Sequence, residues 1–389
     1  MNRFYALFFL LILFLSCGNI TTNDFEGQSS LNPMAPLIYS KLSKEQKEMG
    51  LKLDTFFSAL HKNGIFNGSI LVAKAGRIIY RGSYGVLDRK QNIPLTDTSM
   101  FQLASVSKVL TATAVLMLHE RGALDINEPF ISYFPDFPYA TVTVKELLSH
   151  RSGLANYIYC LNDEICRPDH KMNNTEMYNS YVLKNPTPYL RPGRRFNYCN
   201  TNYALLGLLI EKVSGQPYNV FMKKELFEPL GMRNTATICD IDLDDKNITR
   251  PYDNRWRPVA FDASDYVLGD KSIYSTPYDL FLFSEALYQN KIISPEMQQL
   301  AYTAFSKERR INNYGYGWRM KNFTDPDKKE VYHNGWWHGY RSSFHRRLKD
   351  TLTVVILSNK LNSRTYQSHK VFQILDNAAV SDAPDEESE

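Results

Sequence analysis

The chain has little to offer a nucleic-acid partner. Its net charge is only +4, from 45 basic and 41 acidic residues, and no dense Lys/Arg block stands out. Its five cysteines include no C-x-x-C pair and no zinc-ligand spacing, so no structural zinc site is expected. No internal repeat is visible. The longest apolar run near the start, residues 4–15, is too short to cross a bilayer. What is present is ordinary globular material: 43% hydrophobic and 22% charged residues argue against disorder. A length of 389 residues suffices for one large domain or two modest ones.

The start of the chain is informative. Asn2 and Arg3 precede the apolar run Phe4–Leu15, and Ser16, Cys17 and Gly18 follow it, as in the core of a secretory signal. The phrase "LFLSCG" (13–18) resembles a bacterial lipoprotein signal, in which the cysteine is lipidated. That resemblance implies a signal peptide over 1–16 and a lipid anchor on Cys17 that brings the protein to a membrane on the periplasmic or cell-surface side. A polar tether over 17–42, a folded domain over 43–378 and a solvated acidic tail over 379–389 are expected to follow. Export permits disulfides. Cys160 and Cys166, in "CLNDEIC", are the one pair close in sequence, and sequence leaves their connectivity open.

"SKEQKEMGLKLDTFFSALHKNGIF" (43–66) has apolar residues at helical spacing and ends in the helix-stop signal Asn63-Gly64. "SILVAKAGRIIYRGSYG" (69–85) reads as a hairpin joined at Ala75-Gly76. Near the other end, "EVYHNG", "YRSSFHRRL" and "TLTVVILSN" read as three more strands, with a last helix near 366–375. Between the two ends, residues 104 to about 290 are mostly helical in pattern. Strands at both ends with helices between them predict an α/β (α+β) fold. An antiparallel sheet is built from both chain ends and flanked by helices, with an all-helical subdomain inserted over roughly 104–290. The cleft between sheet and helices is the place for a small-molecule or peptide substrate.

Three short motifs carry chemistry. In "QLASVSKVLTATAVLMLHERG" (102–122), Ser105 and Lys108 are three residues apart at the start of a predicted helix and so share a face. A serine at the positive end of a helix can attack a carbonyl while its own N–H faces the developing oxyanion, and an amine one turn away can take its proton. In "PGRRFNYCNTNYALLGLLIEKVSG" (192–215), Tyr198 and Asn200 point the same way from an extended segment while Cys199 points inward. A phenol held near cations can carry a proton to a leaving group. In "HNGWWHGYRSSFH" (333–345), His333 and Asn334 are polar groups for a cleft wall. Gly335 allows a substrate backbone to approach, and the N–H of Trp336 is a candidate oxyanion donor. Trp336 and Trp337 supply apolar surface for a cleft lip. His333, His338 and His345 fall on a strand, a turn and a strand with no carboxylate among them, so no metal is expected here.

In this order the motifs resemble the serine β-lactamase and penicillin-binding protein superfamily, with its class C β-lactamases, D,D-carboxypeptidases and related esterases. The family pattern S-x-x-K, Y-x-N, K-T-G or H-x-G is present as "SVSK", "YCN" and "HNG". The flanking phrases "LLSHRSGL" (147–154) and "GDKSIYSTPYDL" (269–280) fit as well, and the likeness runs over roughly 45–378. The resemblance implies an acyl-enzyme on Ser105, with Lys108 and Tyr198 handling protons and no cofactor. Asn200 would orient Lys108 and the substrate amide, and His333 would tune Tyr198 and hold substrate. The N–H groups of Ser105 and Trp336 would form the oxyanion hole. Where β-lactamases usually carry a lysine the chain has His333, and Arg341 is the nearby residue that could restore the charge. The H-x-G form points to a peptidase or amidase acting on D-amino-acid or peptidoglycan-like substrates, ahead of an esterase or a β-lactamase. A non-catalytic penicillin- or carbohydrate-binding surface protein is the alternative of another class.

Overall fold

The computed structural model describes residues 42–377 apart from 162–166, 168–169, 306–311, 322–328, 363–365 and 367. The predicted signal, Cys17, the tether, the acidic tail and Cys166 lie outside the described residues. None of the described helices is long and apolar enough to cross a membrane.

Helix α1, Lys44–Lys62, begins at a capping box in which Ser43 and Gln46 satisfy each other's main chain. It buries Met49, Leu53 and Phe57, spaced four apart on one face. Strands β1 (Gly68–Lys74) and β2 (Arg77–Tyr84) follow as the predicted hairpin. Its two turn residues, Ala75 and Gly76, both have positive φ, at 51° and 72°, the conformation a two-residue turn needs to match strand twist. Short strands β3 (Val86–Asp88) and β4 (Ile93–Pro94) pair with each other. Then β5 (Phe101–Gln102) leads into a single 3-10 turn, Ala104–Val106, and helix α2 (Ser107–Glu120). Every residue of α2 from Ser107 to Leu118 is buried. A helix buried on every side belongs in the middle of a domain, and α2 runs through the large core.

Helix α6 (Asn200–Ser214) packs on α2, and helices α3 (Val144–Leu148), α4 (Tyr157–Cys160), α5 (Asn174–Lys184) and α7 (Tyr218–Met222) pack in turn on α6. Strands β6 (Ala236–Thr237) and β7 (Ile273–Ser275) join β5 in a small sheet, and α8 (Pro277–Tyr288) and α9 (Pro295–Ala301) complete the helical layer. The chain then returns to the main sheet through β8 (Asn312–Tyr314), β9 (Arg319–Lys321), β10 (Glu330–Trp337), β11 (Tyr340–Arg347) and β12 (Leu352–Ser358), and α10 (Ser368–Leu375) follows.

The main sheet has the order β2-β1-β12-β11-β10-β9-β8, and each adjacent pair is antiparallel. Both chain ends therefore build it, as the sequence predicts. One face packs on the large core that contains α2 and α6; the other carries a smaller core with α1 and α10. Strands β8 and β9 were not anticipated. At three residues each they are too short to show alternation.

Candidate active site

Ser105 sits in the 3-10 turn that feeds α2, half-buried, behind Ala104 in the left-handed region at φ 47°. Such a conformation is costly for a residue with a Cβ and persists only where the surroundings impose it. Lys108, fully buried one turn on, donates from Nζ to Ser105 Oγ at 3.2 Å and to the carbonyl of Asp270 at 2.7 Å. Tyr198, 93 positions away, donates its hydroxyl to the same Ser105 Oγ at 2.8 Å. The Lys108 amine also lies 5.1 Å from the centre of the Tyr198 ring. Alcohol, amine and phenol thus converge on one oxygen. An alcohol that donates and receives protons through two such neighbours is a nucleophile arrangement.

Strand β10 closes the site on the sheet side. A Cβ at Gly335 would fall 2.4 Å from Leu103 O, 3.0 Å from Ser105 N and 2.2 Å from Ser342 Oγ. Ser342 in turn donates to Leu103 O. The chain's own backbone therefore already requires a glycine here. The β9 pairing of β10 ends at Tyr332, while from His333 to Trp337 the strand is paired on its β11 side.

The other expected cleft residues divide by strand parity. Asn334 faces Ser343 and Trp336 faces Arg341 across the β10–β11 pair, one step out of phase with Gly335 and Ser342, so these side chains lie on the opposite face of the sheet. The Asn334 amide oxygen accepts from Ser343 Oγ at 2.8 Å. The Arg341 guanidinium stacks 5.5 Å from Trp336 and 5.0 Å from Tyr366. Arg341 thus does not replace the missing cleft cation, and Trp336, 53% exposed, is no lip of the Ser105 cleft. Asn200 opens α6 half-buried, and no hydrogen bond joins its side chain to Lys108 among the described residues; the Asp270 carbonyl meets that amine.

His333 is fully buried, so its side chain holds no substrate in this structure. Its Nδ1–H donates to the carbonyl of Asn334 at 2.7 Å, which leaves Nε2 to accept from Tyr314 OH at 3.0 Å. Its hydrogen bond goes to Tyr314 rather than Tyr198, whose ring centre is 6.3 Å away.

Sequence reasoning missed several neighbours. His150, in "LLSHRSGL", is fully buried with its ring 4.3 Å from that of Tyr198. It accepts the Cys199 N–H at Nδ1 and sits 3.0 Å from the Asn202 amide, which Ser152 also meets. The Arg319 guanidinium lies 5.5 Å from the Tyr198 ring centre. Trp337 donates from Nε1 to Asp265 at 2.7 Å. His338 faces the same carboxylate at 2.9 Å and Asp262 at 3.7 Å; with Asp262 it forms a group whose ligand atoms lie within 4.8 Å of one another. Asp265 is already engaged by the indole and by the Asp262 main chain, so the group acts as a junction between the β10–β11 hairpin and residues 262–266.

Burial holds both His150 and His333 well below the ordinary imidazole range. Lys108 adds most to this at His150, and Arg319 then Lys108 at His333. In the unfolded chain these rings protonate near pH 6.5; in the folded chain they do so only well below it. The folded state binds fewer protons in that window, so their contribution to stability is complete above about pH 6.5 and is lost on acidification. Asp279, whose carboxyl burial raises to about 6, works in the opposite sense at the lower end, so the comparison must be made against a variant. His333→Gln is expected to lose less melting temperature than wild type between about pH 7 and pH 5, by about 2–3 °C. Equal slopes in thermal melts would show that His333 is not a source of this pH dependence.

Comparison with known proteins places the chain. The family model described as beta-lactamase matches residues 53–378, most of the sequence. Penicillin-binding protein 4* of Bacillus subtilis (strain 168) is 32% identical over 338 residues, covering 81% of this chain and 73% of that protein. Among solved structures, a class C beta-lactamase superposes with a TM-score of 0.73 at 20% identity, covering 88% of this chain and 99% of that one. The D-amino acid amidase of Ochrobactrum anthropi SV3 does so at 0.70 and 21%, covering 86% and 99%. These two structures speak for the fold alone. The chain belongs to the beta-lactamase family, within the serine β-lactamase and penicillin-binding protein superfamily, and has the fold of that group of serine hydrolases.

Proposed function

We propose that the protein is a serine peptidase or amidase that acts on D-amino-acid or peptidoglycan-like substrates through an acyl-enzyme on Ser105. The observation that carries this reading is the meeting of Lys108 Nζ and Tyr198 OH on Ser105 Oγ, at 3.2 and 2.8 Å. Lys108 and Tyr198 together take the Ser105 proton as Oγ bonds to the substrate carbonyl carbon. The carbonyl oxygen gains the negative charge and is met by the N–H groups of Ser105 and Trp336. Tyr198 then passes a proton to the leaving nitrogen as the C–N bond breaks. Water then enters along the same path and gives a proton to Tyr198 as its oxygen bonds to the acyl carbon. The bond from that carbon to Ser105 Oγ breaks as Oγ takes a proton back from Tyr198 and Lys108, releasing the acid and the free serine.

The position held by lysine in K-T-G enzymes is here a buried neutral imidazole. That weighs against efficient turnover of β-lactams, whose carboxylate a fixed cation would attract, and in favour of other acyl donors. Arg319 supplies positive charge beside the Tyr198 ring. Export and a lipid anchor on Cys17 belong to the same proposal, supported by the run Phe4–Leu15 ahead of Ser16 and Cys17.

The test is intact-mass analysis of the protein against a panel of β-lactams, simple esters and D-Ala-D-Ala peptides, with turnover followed in parallel. A transient acyl adduct and rapid product release are expected with the D-peptides, and slower release with β-lactams. Fast ester turnover with no D-peptide cleavage would replace the peptidase reading by an esterase. A permanent adduct with every donor would replace it by a penicillin-binding protein without turnover.

A further inference from the structure

The carbonyl that receives the Lys108 amine belongs to a residue with an unusual side chain for its place. Asp270 is fully buried, and the next residue, Lys271, is 2% exposed. Lys271 Nζ lies 3.0 Å from Asp270 Oδ2. Tyr157 OH donates to the same oxygen at 3.1 Å and accepts a hydrogen bond from Lys271. The ammonium also sits over the faces of Trp337 and Tyr157, at 4.8 and 5.1 Å. Asp270 Oδ1 is buried with no hydrogen-bond partner among the described residues. An ion pair this deep, with one oxygen unsatisfied, is poor value as a stabilising element, because desolvation consumes most of the Coulombic gain. Its place at the very residue whose carbonyl receives Lys108 points to a different use.

We propose that the Asp270–Lys271 pair positions Lys108 and sets the charge it experiences: Asp270 holds the amine through its main-chain carbonyl, and Lys271 cancels the carboxylate that comes with that residue. The inference rests on Lys108 as an acceptor of the Ser105 proton. An uncompensated carboxylate at 270 favours the ammonium form of Lys108, which cannot take a proton. An uncompensated ammonium at 271 favours the free amine. The pair together leaves Lys108 with a neutral carbonyl dipole.

The other titratable groups around Lys108 come from every element packed on it. Tyr198 and Tyr203 present their rings at 5.1 and 5.8 Å. His150 follows α3 and His333 lies on β10, both neutral by burial. Arg319 on β9 stacks on Tyr198. Tyr218 of α7 reaches the neighbourhood through Thr111, which donates to Gly269 O. Asp265 lies beyond Trp337. All of these remain in place when only residues 270 and 271 are changed.

The experiment is the pH profile of acylation by a neutral activated ester, followed by release of its alcohol from the full chain. Wild type is compared with Asp270→Asn, Lys271→Met and the double variant, with thermal melts as the folding control. Lys271→Met is expected to move the acid limb of the profile up by about one pH unit and Asp270→Asn to move it down by a similar amount. The double variant should return close to wild type. A purely structural pair would lower amplitude without opposite shifts, and limbs that stay put or move in the same direction overturn the proposal. If Asp270→Asn does not fold, Lys271→Met and the double variant still decide it, since the second must reverse the shift of the first. Lys108→Ala separates the two levels. A limb that survives in it belongs to another group and removes both the role of Lys108 and this inference. A limb lost in Lys108→Ala yet indifferent to the charge changes removes this inference alone.

Discussion

Ser105→Ala is expected to abolish acyl-adduct formation and to lower turnover of a D-Ala-D-Ala peptide, or of whichever donor the panel identifies, by about 10⁴-fold or more. The size follows from geometry. Lys108 Nζ and Tyr198 OH have Ser105 Oγ as a common partner, so removing that oxygen idles both proton carriers at once. The loss is therefore that of the whole unit and not of one hydrogen bond. The fold should tolerate the change, because Ser105 is half-buried and Ala104 beside it already carries the unusual backbone angle. Intact mass and a melting curve read the two effects separately. A full-strength adduct on the alanine variant would show that some other side chain is the nucleophile and would end the hydrolase mechanism drawn here.

Tyr198→Phe carries the second-largest expectation: a fall in kcat/KM of about 10²- to 10⁴-fold, in line with loss of one positioned proton carrier. The ring keeps its packing, since phenylalanine presents the same faces and edges to His150, Tyr314 and the Arg319 guanidinium, 4.3, 6.4 and 5.5 Å from the ring centre. What disappears is the bond to Ser105 and the proton delivered to the leaving group. The deficit should therefore shrink for esters with good leaving groups, which need no such proton, and remain large for amides. The ratio of the two deficits, measured on one ester and amide pair, checks the role. An equal loss on both would place Tyr198 in serine activation alone.

The nucleophile, the amine and the phenol were legible because they stand in short motifs whose order resembles that of a known family. Three residues of separation across the turn that opens α2 fix the relation of Ser105 to Lys108, and the sheet built from both ends follows from alternating apolar runs. The rest depended on facts that no local pattern carries. Whether Asn334 and Arg341 face the cleft or the α10 side turns on a single step of strand register. The acceptor for Lys108 is a main-chain carbonyl 162 positions away, and any residue type at 270 would supply one. His333 reads as a polar cleft residue until Tyr314, on a strand too short to predict, is seen to cover it. His150 was within a quoted phrase, yet its meaning came only from the ring beside it.

The turn that carries Ser105 leads into a helix buried from Ser107 to Leu118, and the strand opposite packs closely on that turn at Gly335, whereas Tyr159, Tyr189 and Phe196 stand out in solvent at 80, 59 and 36%. Substitution is therefore least tolerated around the reaction centre and most tolerated at these outer aromatic groups, so the two regions are free to change at very different rates.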